Sequence, residues 1–319
     1  MTKIAVLDDY QGVALSLADW SQLGPDCEVT VFRDHLADSE AALAQLAGFD
    51  VLCLMRERMA LPADLIAGLD RLKLVVVTGR SAGSVDLGAA TSHGVTVCHT
   101  APGEGGIATP ELAFGLILSA MRSIPQEHLA MREGGWQETV GTSLNGKTLG
   151  LLGLGRTGQR MAKIAGAFDM KVIAWSPNLT DERAEVAGVR RAAKTELFET
   201  ADVVSLHLVL SQTTRRIVGA PELAAMKPGA LLVNTSRGPL IDEAALLEAL
   251  RQDRIRAALD VYDTEPLPAD HPLRSAPNVI LTPHLGYVTE GGLREFYEST
   301  IETIAAWREG RPVNVLKNL

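Results

Sequence analysis

Short apolar runs alternate with segments of helical periodicity along almost the whole chain. Apolar runs bounded by turn residues predict buried strands, and the helices between them predict parallel βαβ units. A first series of predicted strands covers residues 5–7, 29–32, 51–55, 74–78 and 95–98. A second series covers residues 149–152, 172–175, 203–208, 231–234, 257–261 and 279–282. Six strands in sequence suit a complete dinucleotide-binding sheet, so we predict two domains of the α/β class, each with a doubly wound parallel sheet.

A glycine-rich run separates the two series of strands. Residues 100–106 read Thr-Ala-Pro-Gly-Glu-Gly-Gly, and Thr109 with Pro110 then suits an N-cap and a first helical position. We place the first crossing between domains here. Apolar residues at helical spacing follow His284 and stop at Gly310, which predicts a C-terminal helix that packs on the first domain. The predicted domains are residues 1–101 with 286–319, and residues 102–285.

Composition and charge narrow the class of partner. Of 319 residues, 46% are hydrophobic and 22% charged, and the net charge of −9 disfavours nucleic acids and anionic membranes. The three cysteines form no CxxC pair, and the histidines show no HxH or HExxH spacing, so we predict neither a disulfide framework nor a metal site. No signal region or bilayer-spanning apolar run is recognisable, which predicts a cytoplasmic location without a membrane partner.

The glycine motif at residues 153–158 is the first candidate site. It reads Gly-Leu-Gly-Arg-Thr-Gly, follows a predicted strand and precedes apolar residues at helical spacing. In dinucleotide-binding folds the first glycine permits a tight turn, the second admits the pyrophosphate, and the third lets helix and strand pack closely. The alternative is a glycine-rich turn that serves packing alone. The predicted cofactor contacts are Gly153, Gly155, Arg156, Thr157 and Gly158.

The segment expected to bind the cofactor's ribose is less regular. A carboxylate is expected about 20 positions after the first glycine, but residues 176–178 read Ser-Pro-Asn. The missing carboxylate admits NADP, yet neither Pro177 nor Asn178 offers a cation for a 2′-phosphate, and Arg183 is the nearest one. We therefore expect NAD, with Ser176 in the cofactor site, while NADP stays open.

Three further candidates follow predicted strands of the second series. Residues 234–238 read Asn-Thr-Ser-Arg-Gly, Glu265 comes shortly after the strand that ends near Asp260, and His284 follows the last strand. Ligands of open α/β sheets bind beyond the carboxyl ends of the strands. Each residue alone could be a surface charge or a hydrogen-bonded strand-end histidine, but their ordered occurrence favours one shared site.

These motifs resemble those of the D-isomer-specific 2-hydroxyacid dehydrogenases, the family of phosphoglycerate dehydrogenase and glyoxylate/hydroxypyruvate reductase. The likeness spans nearly the whole chain. It implies a Rossmann cofactor domain inserted into a flavodoxin-like substrate domain, and NAD(P)-dependent hydride transfer between a D-2-hydroxy acid and its 2-oxo acid. It also implies that Arg237 binds the substrate carboxylate and 2-oxo group, that His284 is the acid/base, and that Glu265 partners His284.

The chemistry of these side chains fits those roles. A guanidinium binds a carboxylate bidentately and stays charged, whereas a lysine would offer only a point charge. Hydride transfer to a 2-oxo acid builds negative charge on the carbonyl oxygen, and a protonated imidazole can donate a proton there. A carboxylate beside an imidazolium favours its charged form, so we expect Glu265 to tune His284.

The resemblance implies further contacts with the cofactor and the substrate. His207, Thr235, Ser236, Asp260 and Gly286 would contact the cofactor, although Asp260 could instead cap a loop. Arg56, Gly79 and Arg80 follow strands of the first domain and would bind the substrate, where glycine lets backbone amides reach a carboxylate. The alternative for Arg56 is a solvated Arg-Glu-Arg cluster with Glu57 and Arg58.

Two other functions stay open at this point. Phosphite dehydrogenases share the implied architecture, and corepressor relatives of the same fold sense nucleotides, although the presence of all three catalytic positions disfavours a sensor. The resemblance also places the apolar helical segment 112–121 in a dimer contact, with a core helix as the alternative. We expect a homodimer whose ligand is a small 2-oxo or 2-hydroxy acid.

Overall fold

The structure is a computed structural model that describes residues 1–36, 38–80 and 82–316. Ser81 and residues 317–319, which belong to the predicted substrate domain, lie outside the described residues. The strands are β1 Thr2–Val6, β2 Cys27–Val31, β3 Val51–Leu54, β4 Leu74–Val77, β5 Thr96–His99, β6 Thr148–Leu152, β7 Lys171–Trp175, β8 Arg190–Arg191, β9 Val203–Leu206, β10 Leu231–Asn234, β11 Arg256–Leu259 and β12 Val279–Leu281.

Helices connect almost all of these strands. They are α1 Ala14–Leu17, α2 Ser39–Leu46, α3 Ala63–Gly68, α4 Leu87–Ser92, α5 Gly105–Met121, α6 Ile124–Arg132, α7 Arg156–Ala167, α8 Asp181–Val186, α9 Lys194–Thr200, α10 Ala220–Ala225, α11 Glu243–Arg251 and α12 Glu290–Arg308. Within the described residues no single helix is long and apolar enough to cross a membrane, and only the bent pair α5 and α6 together meets the length and hydropathy limits.

The chain divides into two compact units. Unit 1 comprises Met1–Gly105 and the chain from Val288 onward, and unit 2 comprises Gly106–Tyr287. Unit 1 contains a parallel sheet in the order β2-β1-β3-β4-β5, the flavodoxin-like order, as predicted. Every residue of β3 and β4 is buried, as expected for central strands of a sheet that helices cover on both faces.

The predicted C-terminal helix is α12, and it packs within unit 1. Thr289 caps its first turn by accepting a hydrogen bond from the Gly292 N–H. Arg294 in the first half of α12 donates to the Leu17 carbonyl at 2.9 Å. Gly310, with φ of +73°, follows its end, and glycine is the residue that adopts this conformation at least cost.

Unit 2 contains a parallel sheet in the order β12-β11-β10-β9-β6-β7-β8. Six of its strands match the predicted series. With β8 as the third strand, β6 to β11 have the order of a doubly wound dinucleotide-binding sheet, and β12 is an added edge strand. Successive residues of β10 face opposite sides, because Leu231 and Val233 belong to one apolar cluster and Leu232 belongs to another. The sequence did not predict β8, since its two exposed arginines lack an apolar run.

The predicted start of α5 was wrong. The helix begins at Gly105, and Pro110 lies buried within it rather than at its first position. The Thr109 hydroxyl does not cap a helix end but donates to the Gly286 carbonyl at 2.8 Å. A tertiary contact therefore uses the side chain that the local pattern assigned to a cap.

Candidate active site

In the glycine turn after β6, two glycines lie so close to neighbouring backbone atoms that no side chain would fit there. Gly153 has φ of +105°, and a Cβ there would lie 2.4 Å from the His207 carbonyl oxygen. A Cβ at Gly158 would lie 2.2 Å from the Gly153 carbonyl oxygen. These two glycines therefore let strand, turn and helix pack together, whether or not a ligand is bound.

Gly155 differs from the other two glycines of the motif. Its φ of −76° suits any residue, and a Cβ there would meet nothing within 4 Å. Gly155 is also the N-cap residue of α7 and provides no side-chain cap, and the first turn contains no acidic residue. Uncapped N–H groups at a helix N-terminus attract anions, so this turn fits the pyrophosphate of a dinucleotide.

A second turn, after β10, is held by buried side chains. Asn234 Nδ2 donates to the Arg237 carbonyl at 2.8 Å, and the Ser236 N–H donates to Asn234 Oδ1 at 3.0 Å. Ser236 Oγ donates to the Leu208 carbonyl at 2.6 Å, which joins this turn to the chain after β9. Thr235 Oγ1 is buried and has no hydrogen-bond partner among the described residues. An orphaned hydroxyl here fits a ligand contact.

Arg237 projects from this turn. Its Nη1 donates to the Ser236 carbonyl at 2.7 Å, and the residue is half-buried. The next residue, Gly238, has to be glycine because a Cβ there would lie 2.1 Å from the carbonyl carbon of Tyr262. The backbone before Glu265 is thus packed directly against the backbone after Arg237.

His284 and Glu265 form the closest polar pair of the site. His284 Nδ1 lies 2.5 Å from Glu265 Oε2, and the two side chains are only 17% and 24% exposed. Glu265 Oε1 accepts a hydrogen bond from the Tyr262 N–H at 2.9 Å. His284 has φ of +53°, a conformation uncommon outside glycine that often marks functional positions. The structure therefore brings together the two residues that the sequence pattern linked.

Asp260 anchors the loop that carries His284. The Asp260 carboxylate accepts hydrogen bonds from Thr282 Oγ1 at 2.6 Å and from the Leu285 and Gly286 N–H groups at 2.7 and 2.9 Å. Burial raises the pKa of Asp260, and these hydrogen bonds oppose that rise. The contacts match the loop role that the sequence left open, and a contact with the cofactor stays a prediction.

Tyr262 is a supporting residue that sequence reasoning missed. Its hydroxyl donates to the Thr282 carbonyl at 2.9 Å, and its backbone N–H holds Glu265. Burial raises the pKa of its hydroxyl. Tyr262 stands between Asp260 and Glu265 in the chain, but no pattern shows that its side chain reaches the neighbouring strand end. Asn234 was missed for the same reason.

The predicted cofactor residues His207 and Ser176 lie at the ends of β9 and β7. His207 Nε2 lies 2.9 Å from Ser205 Oγ, and burial lowers the pKa of His207 to about 4, so its side chain is neutral at pH 7. The Ser176 carbonyl accepts a hydrogen bond from the Leu179 N–H at 3.1 Å. In the same loop Arg183 Nη1 donates to the Asn178 carbonyl at 3.0 Å.

The predicted substrate residues Arg56, Gly79 and Arg80 lie in unit 1. Arg56 has φ of +57°, and a Cβ at Gly79 would lie 2.1 Å from Arg56 Nη1, so the guanidinium covers Gly79. The Gly79 N–H donates to Thr100 Oγ1 at 2.8 Å. Thr100 thus accepts the hydrogen bond of this amide, and a contact of Gly79 with the substrate stays a prediction. Arg80 is exposed.

Comparisons with known proteins agree with these features. The sequence profile described as "D-isomer specific 2-hydroxyacid dehydrogenase, NAD binding domain" matches residues 114–286, more than half of the chain. The chain belongs to the D-isomer specific 2-hydroxyacid dehydrogenase family. The matched region holds the glycine turn and the His284–Glu265 pair, so unit 2 contains the nicotinamide-cofactor domain of this family.

Individual relatives cover the chain to different extents. D-3-phosphoglycerate dehydrogenase of Bacillus subtilis is 38% identical over 294 residues, which are 91% of this chain and 55% of that protein. Hydroxypyruvate reductase of Thermotoga maritima is 36% identical over 87% of this chain and 90% of its own. A crystal structure of phosphoglycerate oxidoreductase from Vibrio cholerae superposes with a TM-score of 0.92 at 38% identity, over 97% of this chain and 100% of that one. The chain spans about half the length of the phosphoglycerate dehydrogenases that it matches.

Proposed function

We propose that this protein interconverts a D-2-hydroxy acid and its 2-oxo acid by hydride transfer with a nicotinamide dinucleotide. The observation that supports this most is the 2.5 Å contact between His284 and Glu265, held on a loop that the Asp260 carboxylate fastens. A surface histidine needs no such support. Family membership and the open space beside Gly155 point to the same chemistry.

The residues of unit 2 would hold the cofactor and move the proton. The turn at residues 153–158, with Thr235 and Ser236, would bind the dinucleotide, which when bound supplies or accepts the hydride. Glu265 faces His284 Nδ1, so the proton available to the substrate is the one on Nε2. In reduction His284 donates that proton to the 2-oxo oxygen, and in oxidation it removes the proton from the hydroxyl.

Arg237 would bind the substrate carboxylate through its planar guanidinium. It follows β10, while Glu265 follows β11 and His284 follows β12, and these strands are neighbours in the sheet. We assign unit 1 as the substrate domain, with Arg56 and Arg80 as its basic residues, and unit 2 as the dinucleotide-binding domain.

We also propose NAD as the preferred cofactor and a homodimer as the assembly. Residues 176–178 after β7 contain no carboxylate, but no cation stands at Pro177 or Asn178 either, and the Arg183 guanidinium already binds the Asn178 carbonyl. For the dimer, half of the predicted contact segment 112–121 is buried in the core, namely Ala113, Phe114, Leu116, Ile117 and Met121. The homodimer proposal therefore rests on exposed apolar residues on α6 and in the segment that follows it.

An assay of NADH and NADPH oxidation against a panel of 2-oxo acids tests the proposed function. The panel contains glyoxylate, hydroxypyruvate, pyruvate, longer 2-oxo acids and phosphohydroxypyruvate. We expect turnover with at least one of them and a higher kcat/KM with NADH. Silence across the panel would contradict the proposed reaction, whereas turnover with a large NADPH preference would overturn only the choice of NAD.

A further inference from the structure

Tyr287 stands three residues after His284 on the loop that follows β12, and the rings of the two residues are in contact. The ring centroids lie 5.2 Å apart and the ring planes meet at 76°, an edge-to-face arrangement. Aromatic rings favour this geometry at centroid separations of about 4.5–7 Å. Both residues belong to unit 2, and only 5% of Tyr287 is exposed. A buried ring therefore supports the imidazole to which the proposed function assigns proton transfer.

The hydrogen bond to Glu265 fixes one atom of the imidazole but not the plane of the ring. Glu265 Oε2 lies 2.5 Å from His284 Nδ1, and the Tyr262 N–H donates to the other oxygen of the carboxylate. The torsion about the Cβ–Cγ bond of a histidine has a broad profile. A small rotation of the ring about Nδ1 would therefore keep the bond to Glu265 and still redirect Nε2. A second contact is needed to fix the direction of Nε2.

Three hydrogen bonds fix the backbone between the two rings. The Asp260 carboxylate accepts from the Leu285 and Gly286 N–H groups at 2.7 and 2.9 Å, and Thr109 Oγ1 donates to the Gly286 carbonyl at 2.8 Å. Space around this backbone is also narrow, because a Cβ at Gly286 would lie 3.2 Å from Asp260 Oδ2 and 3.3 Å from Thr109 Oγ1. The loop that carries Tyr287 is thus held from two sides, which keeps its ring in place.

We propose that Tyr287 is a positioning residue whose ring fixes the plane of the His284 imidazole and thereby the direction of Nε2. This inference rests on the proposed function, because it concerns the same proton transfer. A proton donor has to lie within about 2.6–3.2 Å of its acceptor, and a misplacement of about 1 Å can lower a rate 10²-fold. The contact is made by the ring of Tyr287, so the ring and not the hydroxyl has this role.

A buried tyrosine could instead serve packing alone, and Tyr297 of unit 1 is an example. It is 2% exposed, its ring centroid lies 6.3 Å from that of Trp20, and its hydroxyl donates to Asp9 Oδ1 at 3.3 Å. Neither partner has a part in the proposed proton transfer. Tyr297 is therefore the matched control for a loss of packing without a loss of positioning.

First-turnover kinetics of Tyr287→Phe and Tyr287→Leu test this inference. Rapid mixing of the equimolar protein–NADH complex with the best acid of the panel gives the rate constant and the amplitude of the chemical step. Phenylalanine keeps the ring, so the rate constant should stay within about twofold of the wild-type value. Leucine is apolar but has no planar ring, so the rate constant should fall about tenfold at the wild-type amplitude and with an unchanged Kd for NADH. Tyr297→Leu should lower Tm and keep the wild-type rate constant.

Two results in Tyr287→Leu would overturn the inference. One is a wild-type rate constant, and the other is a reduced amplitude at the wild-type rate constant, which shows only a loss of folded protein. A tenfold slower Tyr287→Phe would also overturn it, because the hydroxyl would then be responsible. If Tyr287→Leu does not fold, Tyr287→Met replaces it, since methionine fills irregular space.

Failure of the inference and failure of the proposed function give different results. If only the inference is wrong, the wild-type protein turns over and His284→Ala loses activity, while Tyr287→Leu reacts like the wild type. Absence of turnover with every acid of the panel would instead refute the proposed reaction, and this inference with it.

Discussion

At the residue scale, the three glycines of the motif at residues 153–158 are required for different reasons. Gly153 and Gly158 are fixed by contacts with neighbouring backbone, whereas Gly155 has an ordinary φ and open space where a Cβ would lie. Packing therefore explains two of the glycines, and only a ligand explains the third. This distinction gives the motif a functional meaning that its spacing alone does not have.

Gly155→Ala should weaken cofactor binding without unfolding the protein. The added methyl meets no protein atom but occupies the approach to the pyrophosphate, so we expect the Kd for NADH to rise by about tenfold or more, equivalent to 1.4 kcal/mol. Fluorescence titration of NADH gives the Kd, and thermal unfolding checks the fold. Gly158→Ala is the matched control and should lower Tm, because its methyl would lie 2.2 Å from the Gly153 carbonyl oxygen. An unchanged Kd in Gly155→Ala would remove the ligand explanation.

The sequence predicted the pairing of His284 with Glu265 better than it predicted what holds the pair. Glu265 and His284 follow neighbouring parallel strands, which bring their ends to one edge of a sheet. The supports are different. Asp260 binds a loop 25 and 26 positions further along the chain, and Tyr262 reaches the Thr282 carbonyl. Such contacts depend on side-chain direction across strands, which periodicity does not encode.

At the element scale, both sheets have the same contact at their amino edge: an aspartate that precedes one strand accepts a hydrogen bond from the backbone of a neighbouring strand. Asp50 precedes β3 and accepts a hydrogen bond from the Lys3 N–H of β1 at 3.0 Å. Asp202 precedes β9 and accepts one from the Thr148 N–H of β6 at 2.8 Å. Burial alone would raise the pKa of both carboxyl groups, but these hydrogen bonds and nearby lysine and arginine side chains outweigh it and lower each pKa.

These carboxylates should stabilise the protein in a pH-dependent way. A carboxyl group whose pKa is lowered on folding contributes stability above its unfolded pKa of about 3.9, and that stability is lost as the pH falls through the lower folded value. Asp50→Asn and Asp202→Asn should each cost about 1–3 kcal/mol of unfolding free energy at pH 7, and less below pH 4. Urea unfolding at both pH values measures this, with the exposed Asp70→Asn as control. An equal loss at both pH values would contradict the account.

Strands were predictable from the sequence where their residues are buried, because buried strands read as apolar runs. The central strands β3, β4, β9 and β10 are buried at every residue and read as apolar runs. The edge strand β8 is two exposed arginines and gives no such signal. The start of α5 was misplaced because Thr109 and Pro110 fit a cap locally, while tertiary contacts use both residues differently.

At the scale of the whole molecule, exposed apolar residues on α6 and in the segment after it bear on the oligomeric state. Ile124, Leu129 and Met131 on α6 are at least half exposed, and Trp136 and Val140 in the following segment are 73% and 97% exposed. Apolar groups clustered along one stretch of chain are costly in water and are typical of protein interfaces. This stretch lies beside the helix that the family resemblance places in a dimer contact.

Sedimentation should therefore give a mass near twice the 34.1 kDa of one chain. Leu129→Glu should shift the equilibrium toward the monomer, because burying an unpaired carboxylate in an interface is costly. Val186→Glu places the same charge at an isolated exposed valine and should leave the mass unchanged. A wild-type protein that sediments only as a monomer would end the dimer proposal.

The most direct test of the proposed chemistry is the turnover of His284→Ala, measured with the best acid of the panel alongside the Kd for NADH. Loss of the proton donor should lower kcat by about 10² or more, while the Kd stays within about twofold of the wild-type value because the glycine turn is untouched. A variant that turns over like the wild type would contradict the role of His284 and, with it, the proposed proton transfer.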